Sequence, residues 1–128
     1  MYEFNLTLDL PFNAAMEKLR NALMDEHLGI VSEVDVQAVF KKKMDKDIPP
    51  YRILGACNPK LAERVLEKQQ NAGTLLPCNF VVRSSTPDQT VISFLEPNAV
   101  LDLTGDEDIS SVGREARAML DRVLARLS

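Results

Sequence analysis

Tyr51-Arg52-Ile53-Leu54-Gly55-Ala56-Cys57-Asn58-Pro59 is the stretch on which the fold turns. Its first six residues are mostly apolar, the pattern of a well-buried strand. Asn58 is a favoured N-cap and Pro59 a favoured first helical residue, so the chain passes from strand to helix within two positions. Leu61, Ala62, Val65, Leu66 and Gln69 mark the inner face of that helix, and Gly73 its close. A second stretch of kindred composition, Leu75-Leu76-Pro77-Cys78-Asn79, leads into a strand over 78–84.

Working outward, Phe4, Leu6, Leu8 and Leu10 alternate with polar residues, the period of a half-buried strand. Pro11 ends it, and Phe12, Met16, Leu19 and Leu23 then fall on one helical face, with Gly29 as the stop. Residues 30–36 are β-branched and alternating, with Ile30, Ser32, Val34 and Val36 on one side and the carboxylates of Glu33 and Asp35 on the exposed one. A short helix with a lysine-rich solvated face follows over 37–47, broken by Pro49-Pro50. Pro87-Asp88 turns the chain into a hairpin partner over 90–95, which Glu96-Pro97 terminates. Residues 100–104 read as loop, and Asp106 or Asp108 caps a last helix carrying Ile109, Val112, Ala116, Met119, Val123 and Leu127. The pattern predicts one α+β domain over residues 1–128. It has about five strands in a mixed or antiparallel sheet, with two or three helices packed mainly on one face. The uncovered apolar face of such a sheet needs a partner, which points to a homodimer.

Composition narrows the function classes. The chain has 128 residues, 45% hydrophobic and 27% charged, with a net charge of −4. That acidic balance argues against nucleic acid as a partner, which needs a basic face to collect phosphates. The lysines at 41, 42, 43 and 46 are interspersed with Asp45 and Asp47, and no aromatic ladder accompanies them. No run of eighteen apolar residues is present, so no membrane span is expected. The opening Met1-Tyr2-Glu3-Phe4 lacks a basic leader, and the expected compartment is the cytoplasm with its thiols reduced.

Cys57-Asn58-Pro59 and Pro77-Cys78-Asn79 hold both of the chain's cysteines. Together with Tyr51 to Ala56, Leu75-Leu76, Gly29-Ile30-Val31, Glu33 to Val36 and Glu96-Pro97, they resemble the domain-of-unknown-function 302 family along nearly the whole chain. The resemblance implies a compact α+β unit. It carries no catalytic role over to any residue; the matched motif positions are Cys57, Asn58, Pro59, Pro77, Cys78 and Asn79.

The chemistry open to these residues is limited. A thiol just before a helix N-cap can have its pKa lowered by the helix dipole, which would make Cys57 a nucleophile and Cys78 its resolving partner. The bland reading is that both are core residues, since a buried free cysteine behaves as a small hydrophobe. The same helix start offers backbone N–H groups and the Asn58 amide to a small anionic or sulfur-containing ligand, without support from a glycine-rich phosphate loop. His27, Cys57 and Cys78 are the only soft metal ligands, too few for a closed zinc site, so no metal or cofactor is expected. His27 fits the C-terminal end of its helix. Glu96, ahead of Pro97, fits a capping or surface role more readily than a catalytic one. The leading reading is a non-enzymatic ligand-binding or protein-interaction module with its site near Cys57 and Cys78. The alternative is a thiol-dependent redox or sulfur-handling protein.

Overall fold

Five strands form one antiparallel sheet in the order β1-β5-β4-β3-β2, in a computed structural model that describes all of residues 1–128. The strands are β1 (Glu3–Leu8), β2 (Gly29–Asp35), β3 (Tyr51–Cys57), β4 (Cys78–Thr86) and β5 (Gln89–Leu95). Every pairing is antiparallel, which decides between the two sheet types expected. The helices are α1 (Phe12–Asp25), α2 (Val36–Met44), α3 (Pro59–Lys68), α4 (Pro97–Leu101) and α5 (Glu107–Leu127), with 3₁₀ turns over Gln70–Leu75 and Asp102–Thr104. The chain is a single α+β domain, with more helices than the two or three expected.

Helices α1 and α5 supply the cover for one sheet face. Ala15, Met16, Leu19, Ala22 and Leu23 of α1 and Leu120, Val123 and Leu127 of α5 pack against Leu54, Phe80, Val82, Ile92 and Phe94 of the strands. Phe94 is the aromatic centre of this core. Its ring stacks on Phe4 at 5.2 Å and meets Phe80 edge-on at 4.9 Å. A second, smaller core lies beyond it. Val65 of α3, Ala72, Leu101 of α4, and Ile109 and Val112 of α5 form that cluster, with Leu61, Leu75 and Leu76 packed on it.

Several local readings change. The α1 helix ends without glycine: His27 takes the left-handed conformation (φ 59°), its N–H bonding Met24 O while Leu28 N–H bonds Leu23 O. The bond closed by Leu28 lets that residue bury beside Leu23, an apolar contact typical of this kind of helix end. Gly29 instead begins β2. In β2, a bulge between Ile30 and Ser32 breaks the expected alternation. Ile30 stands beside Ala56 on the helix side, whereas Ser32 and Val34 pair with Gly55 and Ile53 on the other face. The same shift carries Glu33 to the helix side, opposite Leu54, where it meets Arg52 (2.7 Å) and Arg20 of α1 (3.0 Å). These carboxylates are therefore paired rather than simply solvated.

Helix α3 ends at Lys68 because Gln69 turns extended (φ −144°), so Gly73 lies within the following 3₁₀ turn and does not close the helix. Gln69 and Leu66 are exposed, which leaves Val65 as the one fully buried residue of α3. Residues 100–104, expected as loop, are the end of α4 and a 3₁₀ turn; α4 is started by Pro97 and by the Glu96 carboxylate, which accepts from Asn98 N–H. A five-residue helix is too short to show a period. Asp106 is the cap of α5, accepting from Asp108 N–H (2.9 Å) and Ile109 N–H (3.1 Å).

The opposite sheet face carries no helix over its middle. Across the strands its central row runs Asn5, Ser93, Val81, Ile53 and Val34.

Candidate functional site

The two cysteine motifs meet because β3 and β4 are adjacent. Ala56 pairs with Cys78 and Gly55 with Asn79, so the end of one strand lies beside the start of the other. Gly55 permits a close approach. A Cβ there would stand 2.5 Å from Pro77 Cγ and 2.3 Å from Ser32 Oγ, closer than atoms can lie. The peptide bond between Leu76 and Pro77 is cis, and the proline ring lies against β3 at Gly55.

Around this junction lies an apolar cavity of about 40 Å³. Cys57, Asn58, Pro77 and Cys78 reach it from the two motifs, Leu61, Ala62 and Val65 from α3, and Val112, Ala116 and Leu120 from α5. It sits on the seam between the two cores, since Phe80 and Leu120 belong to the large one and Val65 and Leu101 to the small one. Cys57 also borders a shallow outer groove formed with Val31, Pro59 and Leu66. It is thus the thiol nearer solvent.

Both thiols are free, and both are held in the protonated form. Burial pushes the Cys57 thiol above its ordinary 9.0. Burial, reinforced by the nearby Cys57, pushes Cys78 up to about 11. This is the opposite of the lowered pKa expected from a helix start. Asn58 is the N-cap as predicted, but its Oδ1 already accepts from Lys60 N–H (3.0 Å) and Leu61 N–H (3.3 Å). The donors an anion or thiolate would use are therefore partly occupied by the cap itself.

Of the seven residues singled out from sequence, four line the cavity: Cys57, Asn58, Pro77 and Cys78. Pro59 faces the outer groove. Asn79 belongs to the open sheet face, in a hollow with Tyr51 and Val81. Glu96 lies apart, where it caps α4 and pairs with Arg117, whose guanidinium rests 3.7 Å from the centre of the Phe4 ring. That arrangement ties α5 to β1. No group of three His, Cys, Asp or Glu side chains converges to hold a metal ion. No helix is long and apolar enough to cross a membrane.

The cavity walls from α4 and α5 were not part of the sequence reading of the site. Ala116, small among the larger residues of the α5 inner face, was the available signal.

A family model described as "Domain of unknown function DUF302" matches residues 4–127. The chain belongs to the DUF302 family. A solved DUF302 structure, an uncharacterized conserved protein from Bacillus stearothermophilus, is 25% identical in sequence and superposes with a TM-score of 0.89, covering 100% of this chain and 99% of that one. No curated protein matches. The cysteine cavity is thus set within a DUF302 domain whose whole architecture is shared with that relative.

Proposed function

We propose that this DUF302 domain is a non-enzymatic binding module, whose cavity between the two cysteine motifs takes a small, uncharged, apolar or sulfur-containing ligand. The observation that carries the reading is the convergence of Cys57 and Cys78 on one apolar cavity while both remain protonated. Neutral thiols in an apolar wall suit a neutral, polarisable guest. A phosphate or carboxylate would lose its hydration there without finding a charge partner. At about 40 Å³ the space is far below the 300–1,000 Å³ of drug-sized sites, so a larger guest requires α3 to move off α5. Helix α3 suits such motion, because Val65 is its only fully buried residue and its ion pairs to α5, Arg64–Glu115 and Lys68–Asp108, are exposed.

Dimethyl sulfide and xenon, titrated into the protein and followed by amide and methyl NMR, test this. The expected result is saturable shifts at Ala56, Ala62, Val65 and Ala116, abolished in Ala116→Leu. Shifts spread over the surface, or none with either probe, would make the cavity a packing gap. Alkylation across pH tests the thiol reading in parallel. Slow modification at neutral pH, with Cys57 ahead of Cys78, is expected. Fast modification of Cys57 with an apparent pKa below about 8 would put thiol chemistry in place of binding.

A further inference from the structure

We infer that the outer groove between β2 and α3 docks an extended segment of another protein, with basic side chains at alternate positions. The groove is open, about 640 Å³, and lies outside the cysteine cavity, so the inference does not rest on that reading. Val31, Pro59 and Leu66 give it an apolar lining. Val31 is the bulge residue of an edge strand; it pairs with nothing on β3 and is 65% exposed. Leu66 shares the inner-face spacing of α3, yet it is 39% exposed. Apolar side chains from separate elements, left uncovered together beside a polar rim, are the composition of an interaction surface.

The charges on the rim identify the occupant. Glu63 and Glu67 are the only charged residues that line the groove. Neither enters an ion pair. The cations beside them on α3 are engaged elsewhere, Arg64 by Glu115 and Lys68 by Asp108, both on α5. Helix α3 thus answers its positive charges on the α5 side and leaves its carboxylates unanswered on the groove side. A basic segment supplies the complement, and a chain of net charge −4 draws one in. That segment is not this chain's own in extended form: no strand carries a lysine, and Lys41, Lys42 and Lys43 lie in α2.

The spacing fixes the shape of the segment. From Pro59 to Glu67 the helix rises about 12 Å, the reach of about four residues of extended chain. Glu63 and Glu67 stand one turn apart, about 6 Å along the axis. Side chains two positions apart on an extended segment are separated by about 6.7 Å. Alternate basic residues therefore meet both carboxylates, and the residue between them is left for the apolar lining. A small molecule fits this open groove less well, because small-molecule sites enclose most of their ligand.

The test is an NMR titration of the full chain with a capped heptapeptide of alternating lysine and valine. Saturable amide shifts confined to Val31, Ala62, Glu63, Leu66 and Glu67 are expected, with a dissociation constant below about 1 mM that rises with added salt. A lysine–serine heptapeptide should bind at least about threefold more weakly, having lost the apolar contacts. The double variant Glu63→Lys with Glu67→Lys should bind the lysine–valine peptide at least about tenfold more weakly and should acquire a glutamate–valine one. Both positions are exposed, so the variant folds; circular dichroism confirms it. No groove shift at about 1 mM peptide would overturn the inference. So would wild-type binding of the glutamate–valine peptide, or a double variant that keeps the lysine–valine one. Groove amides that shift when the protein is concentrated without peptide would give the groove to a second copy, and overturn it as well.

Discussion

The two cores differ in how they are held. The large one lies between a five-stranded sheet and two helices, and its central residues, Phe80, Val82, Ile92 and Phe94, sit on strands paired on both sides. The small one is enclosed by short pieces, namely a ten-residue α3, a 3₁₀ turn and a five-residue α4, leaning on the N-terminal half of α5. Strand pairing fixes the backbone of the first independently of its side chains. The second depends on side-chain packing and on the exposed ion pairs Arg64–Glu115 and Lys68–Asp108 that tie α3 to α5, and the cavity lies on its border. The cavity, and the cysteines with it, thus lies beside the core that has less backbone pairing to hold it.

The largest expected effect falls in the rigid region. Phe94→Ala removes a ring packed between Phe4 and Phe80 and should cost about 3–5 kcal/mol in denaturant unfolding. A loss under about 2 kcal/mol would mean the large core relaxes as readily as the small one. Next comes the junction between them. Gly55→Ala forces a methyl into the Pro77 ring and should cost about 1–3 kcal/mol by over-packing. It should also shift the NMR signals of Cys57 and Cys78, which a purely local effect would leave in place.

A matched pair sharpens the contrast. Val82 and Val65 are each 0% exposed, one in each core. Val82→Ala should cost about 2 kcal/mol, and Val65→Ala about 1 kcal/mol less, because the site beside the cavity can collapse. Hydrogen exchange should likewise show α3 amides opening below the global unfolding free energy while β4 and β5 open only with it. Equal costs and equal protection would break the distinction.

The smallest effect is electrostatic and belongs to the large core. Glu26, at the end of α1, is held below its ordinary 4.5 by hydrogen bonds from Arg122 and then Arg126 of α5. A carboxyl with a depressed folded pKa contributes stability that is fully present above 4.5. That contribution is lost as pH falls through the lower folded value. Glu26→Gln should therefore lower Tm at pH 7 and narrow the gap to wild type as the pH drops below 4.5. A gap that stays constant with pH would assign Glu26 a packing role.

Much of this architecture was legible from local chemistry. The alternation of Phe4, Leu6 and Leu8, the spacing of Met16, Leu19 and Leu23, the Asn58-Pro59 helix start and the turn at Pro87-Asp88 each name their element without reference to the rest of the chain. They do so because strand and helix periods and caps are set within a few residues. That locality also explains the errors. A left-handed His27 in place of a glycine stop, the bulge after Ile30 and the brief α4 depend on bonds and contacts whose partners the local pattern does not name.

The site divides in the same way. The sequence by itself determined that two cysteine motifs stand at a strand end and a strand start, and that Asn58 begins a helix. Only the tertiary structure decided that β3 and β4 are neighbours, that Pro77 closes onto Gly55, and that Ala116 on a distant helix completes the wall. It also decided that Glu96 and Asn79 point elsewhere and that the thiols stay protonated. A thiol's pKa is set by what surrounds it in space, and here that is the apolar contact of α3 and α5, residues far from Cys57 and Cys78 along the chain.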